Sequence, residues 1–206
     1  LKEHLRDFRN THAAAQLGVS AVAALPGDRL SAALMVKSHG TVSVDGKVSD
    51  ADLTYLEEVA NSTGQEVDKS RLTSQAFARA ALITDVGIAL ATELETAGQK
   101  WSLGFTPKFQ RVDLFNYNVL VRNYDSSAFK GDRYHNTKNG INADIGASTD
   151  LDDNWTLGLV AQNLIPRSIE TKEVNGITET FRIRPQVTAG VSWHNAMFTT
   201  AFDVDL

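Results

Sequence analysis

Apolar and polar residues alternate with a period of two through most of this chain, and no other feature of the sequence constrains the fold as strongly. Successive side chains of a β-strand point to opposite faces of a sheet, so the alternation predicts strands with one apolar and one polar face. It is clearest in segments 17–23, 30–37, 86–94, 141–148, 155–162, 181–194 and 198–206. The sequence therefore predicts an all-β protein with antiparallel strands.

The predicted strands are long, and the connections between them differ in length. Segments 77–94 and 180–194 exceed the five or six residues of a typical globular strand. A tilted strand that crosses a membrane needs roughly 9–11 residues. The connections at 150–154 and 194–196 are short, whereas those at 124–139 and 166–177 are long. Alternating short turns and long loops are typical of an up-and-down outer-membrane β-barrel.

Two short helices are expected to interrupt the strand pattern. Apolar residues recur at helical spacing among the charged residues 1–10. A helical insertion is predicted at about 49–62, where Ser49 and Asp50 provide an N-terminal cap. Its apolar face consists of Leu53, Leu56 and Val59.

Composition restricts the function more than the fold. The 206 residues include no cysteine, which excludes zinc ribbons, thiol nucleophiles and disulfide frameworks. A net charge of −5 argues against a broad nucleic-acid surface, which needs clustered Lys and Arg. Mean hydropathy is −0.21, and no apolar run approaches the ~20 residues of a membrane-spanning helix. A membrane β-barrel remains compatible with these averages, because only every second residue of its strands is apolar.

No arrangement of polar residues predicts a catalytic centre, a metal site or a cofactor site. The histidines lie in different segments without metal-ligand spacing, at His4, His12, His39, His135 and His194. The acidic turn at 150–154 lacks the ligand pattern of a calcium loop, and turn chemistry explains it. No serine has a nucleophile-elbow context, and no glycine run is suited to cradling a phosphate. We therefore expect a protein that is not an enzyme and needs no cofactor.

Arg182 and Arg184 form the most suggestive polar pair. They share one strand face, so together they can hold an anionic group. Alternatively, they form cross-strand ion pairs with acidic residues of neighbouring strands, which is the interpretation we favour.

Lys108, Arg111 and Arg122 lie among aromatic residues, a combination that can bind single-stranded nucleic acid. The negative net charge weighs against that reading, and no nucleic-acid partner is expected.

Two β architectures fit these two-faced strands. The polar faces combine small residues with charges at Asp85, Asp144, Arg182, Arg184 and Asp203. A barrel lumen that holds charged side chains in mutual hydrogen bonds has this composition, and so has the wet face of a soluble β-sandwich. Strand length favours the barrel, and so do aromatic residues near strand ends, namely Trp101, Tyr117, Trp155, Trp193 and Phe198. We predict that residues 1–206 form a single domain, an antiparallel up-and-down outer-membrane-type β-barrel in part, with one or two short helices.

Several segments together resemble one protein family. They read GVSAVAALPGDRLSAALMV at 18–36, SDADLTYLEEV at 49–59, LGFTPKFQRVDLFNYNVLV at 103–121, WTLGLVAQNLIP at 155–166, TKEVNGITETFRIRPQVTAGVSW at 171–193 and FTTAFDVDL at 198–206. This combination resembles the conjugal transfer protein TraF-like family of Gram-negative bacteria, and not the thioredoxin-like F-plasmid protein of the same name. The resemblance implies an outer-membrane β-barrel distantly similar to long-chain fatty-acid transporters. It also implies a longer chain, with a signal peptide before this region and further strands after it.

Three hypotheses for the function follow. The leading one is a non-enzymatic outer-membrane β-barrel protein of plasmid conjugal transfer or envelope transport, in contact with outer-membrane lipid and with other conjugation-machinery proteins. The second is a soluble periplasmic β-rich binding or assembly module, whose apolar faces would close on one another. The third is a hydrophobic-ligand transporter of the fatty-acid transporter type, although charged polar faces argue against an apolar lumen. The expected location is the outer membrane, with the periplasm as the alternative.

Overall fold

The chain is mostly β-strand in the computed structural model, which describes residues 12–27, 29–62, 64, 66–96, 98–123 and 131–206. The strands are β1 His12–Leu25, β2 Ser31–Lys47, β3 Gln75–Thr96, β4 Gln99–Leu120, β5 His135–Asp150, β6 Trp155–Gln162, β7 Arg167–Glu170, β8 Thr180–Ile183, β9 Gln186–His194 and β10 Thr199–Asp205. The helical elements in this part of the chain are α1 Asp50–Asn61 and two 3₁₀ turns, Lys69–Arg71 and Val121–Asn123.

Eight strands form one antiparallel sheet, in the order β1–β2–β3–β4–β5–β6–β9–β10. Strands adjacent in the sheet are adjacent in the chain, except that the β7–β8 hairpin intervenes between β6 and β9. The sheet curls into a half-barrel, in keeping with the twist that accumulates across a sheet of this size. The structure thus confirms the predicted all-β, antiparallel meander.

Short and long connections lie at opposite ends of the sheet. Consecutive antiparallel strands place alternate connections at opposite ends. The short connections are 26–30, 97–98, 151–154 and 195–198, and the long ones are 48–74, 121–134 and 163–185. The predicted alternation of connection lengths is therefore confirmed.

The register of the sheet determines which side chains share a face. Directly paired residues of an antiparallel ladder point to the same side. Val86, Phe109 and Ile141 form one row across β3, β4 and β5, and all three are exposed. Asp85 and Gln110 form the neighbouring row on the opposite side and are buried. We call the first side the outer face and the second the inner face.

The β7–β8 hairpin covers part of the inner face. Ile169 and Ile183 of the hairpin pack against apolar side chains of β3 and β4, namely Ala81, Val112 and Leu114. At the tip, Asn175 and Gly176 both have positive φ, at 52° and 77°, as a two-residue type I′ turn requires. The side-chain amide of Asn175 donates a hydrogen bond to the backbone oxygen of Asn118 at 2.7 Å. The hairpin is thus fixed to the sheet along its strands and at its tip.

Arg167, at the start of β7, lies across β5. Its guanidinium donates hydrogen bonds to Gln110 Oε1 at 3.2 Å and to the backbone oxygen of Asn139 at 3.0 Å. A Cβ atom on Gly140 would lie only 2.6 Å from the guanidinium carbon. Glycine at this position therefore provides the space in which the arginine fastens the hairpin to the sheet.

Helix α1 lies in the long connection between β2 and β3, within the segment for which the sequence predicts a helix. Its buried face packs with the following loop through Tyr55, Leu56, Val59 and Leu72. Asp52 is 2% exposed and accepts hydrogen bonds from the backbone N–H groups of Thr73 and Ser74 at 2.9 and 2.7 Å. Burial opposes the charged form of Asp52, but these bonds and those from the two hydroxyls outweigh it and lower the pKa.

The structure corrects three predicted boundaries. Segment 180–194 is not one strand, because it divides at Pro185 into β8 and β9, which belong to different sheets. Proline has no N–H to donate, so a ladder tends to end there. Segment 166–177 is not entirely loop, since it includes β7, and β5 begins at His135 rather than after 139. The helix predicted at 1–10 falls outside the described residues.

Candidate functional site

Lys108 lies between two carboxylates on the inner face. Its Nζ atom is 3.1 Å from Asp85 Oδ2 and 2.9 Å from Asp144 Oδ1. The Lys108 side chain is only 4% exposed. We call these three residues the inner-face ion cluster. A buried ammonium group without a partner would cost several kcal/mol, so the two carboxylates are what allow the Lys108 side chain to be buried inside the fold.

Strand register assembles the inner-face ion cluster from three strands. Lys108 of β4 pairs directly with Gly87 of β3 and Asn142 of β5. Asp85 lies two positions before Gly87 and Asp144 lies two positions after Asn142, both on the same face as Lys108 and within reach of its long side chain. The cluster agrees with the prediction that charged residues of the polar faces bond to one another. From the sequence, Lys108 is grouped with the basic residues that lie near aromatic side chains. The alternation of polar and apolar residues in this strand already places Lys108 on the polar face.

A cavity of about 310 Å³ adjoins the inner-face ion cluster, and we call it the inner-face cavity. Asp85 forms part of its wall, and Asp85 Oδ1 is buried without a hydrogen-bond partner among the described residues. The basic side chains that line it are Lys37, His39, Arg182 and Arg184. The cavity therefore combines basic side chains with a buried hydrogen-bond acceptor that has no partner among the described residues.

The structure brings Arg182 and Arg184 together at this cavity. Arg182 lies on β8, Arg184 follows it, and both are exposed. In the part of the chain that the structure describes, neither forms an ion pair. The predicted cross-strand ion pairs are thus not formed with any described residue. The reason is that β8 pairs with β7 in a separate hairpin and not with the acidic strands of the main sheet.

Other polar groups singled out from the sequence make local contacts. His12 Nδ1 lies 2.5 Å from Asp45 Oδ1 on the neighbouring strand. In the acidic turn, Asp152 Oδ1 accepts hydrogen bonds from the backbone N–H groups of Asn154 and Trp155 at 2.8 and 2.9 Å. Such bonds are the turn chemistry expected of aspartate. Among the described residues, no three His, Cys, Asp or Glu side chains converge as a metal site requires.

A second charged group lies on β4 towards the end of the sheet with the long connections. Asp113 accepts hydrogen bonds from Arg111 Nε at 2.8 Å and from Thr137 Oγ1 at 2.5 Å, and His135 Nε2 lies 3.1 Å away. Burial disfavours the charged carboxylate, but these contacts outweigh it and lower the pKa of Asp113 to about 2. The group joins β4 to the start of β5.

This low pKa predicts a pH dependence of stability. A depressed pKa in the folded state stabilises the fold at pH values above the ordinary value of 3.8, and the contribution is lost as the pH falls towards about 2. As the pH falls from 3.8 to about 2, we expect the Asp113→Asn variant to lose less stability than the parent protein. The measurement is the free energy of unfolding by urea at a series of pH values. Asp153→Asn, in the exposed turn, is the control and should keep the parental slope; an unchanged slope in Asp113→Asn contradicts the assignment.

The outer face carries a continuous apolar band. On β4, the side chains of the outer face from Trp101 to Phe109 are exposed and apolar, and the next outer-face residue is Arg111. On β3, Leu94 pairs with Trp101 and Val86 with Phe109, so the apolar stretches of the two strands coincide. The band continues across the sheet through Leu34 on β2, Ile141 and Ile145 on β5, Leu157 and Leu159 on β6, and Phe202 and Val204 on β10. We call this surface the outer apolar band.

Aromatic side chains mark the end of the band near the short connections. Trp155 and Trp193 are directly paired, and Trp155 and Phe198 are exposed. Tyr117, which the sequence grouped with them, does not belong to this set, because it is 2% exposed and lies edge-on against Tyr134, with ring centroids 4.7 Å apart. Tyr117 lies at the opposite end of β4, where Tyr134, just before β5, covers it.

Comparison with known proteins identifies a family for the chain. No curated protein and no solved structure matches it significantly. In the described residues, no helix has the length and hydrophobicity needed to cross a membrane. A family model described as "F plasmid transfer operon, TraF, protein" matches residues 1–205, and this family implies involvement in plasmid conjugal transfer. The chain belongs to this family of F plasmid transfer operon TraF proteins.

Proposed function

We propose that this protein is a non-enzymatic β-barrel protein of the outer membrane that takes part in conjugal transfer. The supporting observation is the outer apolar band, which crosses the whole sheet and is exposed, opposite an inner face with buried charges. A soluble protein rarely exposes an apolar surface of this extent without a partner to cover it. Lipid is the partner that suits an apolar surface which extends across one whole face of a curled sheet.

The dimensions of the band support this placement. On β4 it extends over residues 101–109, nine positions along the strand. This length agrees with the roughly 9–11 residues that a tilted strand needs to cross the hydrocarbon layer. Aromatic side chains lie at one edge, as in the girdles of outer-membrane barrels, and Arg111 lies just beyond the other.

The inner face supports a polar interior that is partly filled. The β7–β8 hairpin packs on it, in the manner of segments that plug the lumen of larger barrels. The buried ion cluster makes an apolar lumen for fatty-acid-like ligands the less favoured alternative. Transport through the envelope and contacts with other conjugation proteins are part of the same proposal.

A membrane-inserted sheet must have its edges paired, because hydrocarbon offers no hydrogen bonds to backbone groups. Within the described residues, β1 and β10 are the edge strands of the half-barrel. The proposal therefore includes further strands that pair with β1 and β10 and close the barrel.

Fractionation of Gram-negative cells that express the full-length protein tests the proposed location. We expect it in the outer-membrane fraction, where it should resist extraction by alkaline carbonate and require detergent for solubility. Outer-membrane barrels often remain folded in cold detergent, so unboiled and boiled samples should migrate differently in gels. Recovery of a folded monomer from the periplasmic fraction without detergent would support the soluble-module alternative and contradict the proposal.

A further inference from the structure

We propose that the inner-face cavity binds a small phosphorylated polyol, with the phosphate on Arg182 and Arg184 and a hydroxyl group donating to Asp85. The site does not depend on the membrane placement, because the cavity lies on the inner face, away from the outer apolar band. Its volume of about 310 Å³ is at the lower end of small-ligand pockets, roughly 300–1,000 Å³.

The cationic side of the cavity is suited to a phosphate group. Arg182, Arg184 and Lys37 line it, and none of them forms an ion pair with a described carboxylate. The one carboxylate in the wall is Asp85, which lies 3.1 Å from Lys108 and shares that lysine with Asp144. The cavity therefore has an excess of positive charge, and guanidinium groups match phosphate oxygens in paired, charge-assisted hydrogen bonds.

The buried side of the cavity requires a hydrogen-bond donor. Asp85 is 5% exposed and its Oδ1 atom accepts no hydrogen bond from a described residue. A buried acceptor without a partner is unfavourable, because it has lost its hydrogen bonds to water and gained none in the protein. A fully ionised phosphate ester has no proton to offer it, whereas a hydroxyl group does. One ligand that satisfies both sides of the cavity therefore carries an anionic group, for which we choose phosphate, and a hydroxyl.

Amide side chains around the cavity favour further hydroxyl groups. Gln110, Gln162, Asn163 and Gln186 line the wall and offer both donors and acceptors. Gln110 is 1% exposed, donates to Asn163 Oδ1 at 3.3 Å and accepts from Arg167 at 3.2 Å, so its position is fixed. A polyol phosphate suits this wall better than inorganic phosphate, which lacks the hydroxyl-bearing carbon chain.

Calorimetric titration of the folded full-length protein with glycerol 3-phosphate tests the proposal. We expect saturable binding of glycerol 3-phosphate, weaker binding of inorganic phosphate, and no binding of glycerol. The double variant Arg182→Gln/Arg184→Gln should weaken binding of glycerol 3-phosphate by roughly tenfold to hundredfold, the range expected for charged hydrogen bonds. Both arginines are exposed, so the fold should be kept, and circular dichroism checks this.

The matched control is Arg71→Gln/Arg133→Gln, which removes the same charge at positions that do not line the cavity. It should bind glycerol 3-phosphate as the parent does. Equal losses in the two double variants would show that net charge alone drives binding and would overturn the site. Equal affinity for inorganic phosphate and glycerol 3-phosphate would overturn the role of Asp85. Binding of short-chain phosphatidylglycerol without binding of glycerol 3-phosphate would overturn the choice of a soluble ligand.

Discussion

Replacement of Lys108 by methionine is expected to lower the free energy of unfolding by about 3–5 kcal/mol, the usual cost of removing one partner from a buried ion pair. Methionine keeps much of the lysine volume, so the effect comes from charge rather than from an empty space. Asp85, opposite Gln110, and Asp144, opposite Thr106, would then lie on either side of position 108 without the ammonium group that now lies 3.1 and 2.9 Å from them. Urea unfolding of the detergent- or vesicle-folded protein measures the loss.

A triple variant provides the matched control for this prediction. Asp85→Asn/Lys108→Met/Asp144→Asn removes all three charges while it keeps the approximate shapes of the side chains. Since buried ion pairs can be replaced by neutral groups at little cost, this variant should be clearly more stable than Lys108→Met alone. If the single and triple variants lose the same stability, the ion cluster does not determine the packing of the inner face.

The second large effect is expected on the outer apolar band, where arginine should destabilise the protein according to depth. Ile145 pairs with Phe105 in the middle of the band, and Ile141 pairs with Phe109 at its edge. Arginine on the lipid face of a barrel costs about 2–4 kcal/mol at the bilayer midplane and about 0–1 kcal/mol near the interface. Ile145→Arg should therefore be much more harmful than Ile141→Arg in lipid vesicles.

The two isoleucines form a matched pair, since they lie on the same strand and face and undergo the same substitution. Both are partly exposed, at 47% and 70% for Ile145 and Ile141. On a face bathed in water, arginine at either position would be tolerated, and the two variants would differ little. Urea unfolding in vesicles measures the difference, and similar stabilities would contradict a lipid-facing band.

Much of the sheet follows from the sequence because strand alternation is a local property. The period-two alternation predicts the face of each strand residue correctly. Asp85 and Asp144 lie on the polar inner face, and Ile145 and Leu159 lie on the apolar outer face. The short and long connections also follow from local turn signals. Helix α1 follows from an apolar face of ordinary spacing, whereas the Ser49 side chain at its N-cap makes no capping hydrogen bond.

The contacts that define the candidate site depend on register, which the sequence does not show. Lys108 meets its carboxylates only because three strands align as they do. Arg182 and Arg184 reach the inner-face cavity because Pro185 separates β8 from β9 and lets the hairpin fold inwards. Tyr117 has the alternation of an outer-face residue but is covered by Tyr134, in the connection between β4 and β5. These are tertiary effects that no local pattern specifies.

Site-directed spin labelling tests the central claim, contact between the outer apolar band and lipid, most directly. The chain has no cysteine, so single labels can be placed without background. Labels at Leu103→Cys and Phe105→Cys report on the outer face, and labels at Ser102→Cys and Thr106→Cys report on the inner face of the same strand. In vesicles, we expect the outer labels to collide with oxygen, which dissolves in lipid, and to be shielded from a water-soluble nickel chelate. The inner labels should not be in contact with lipid. Equal access of the chelate to outer and inner labels would contradict the central claim.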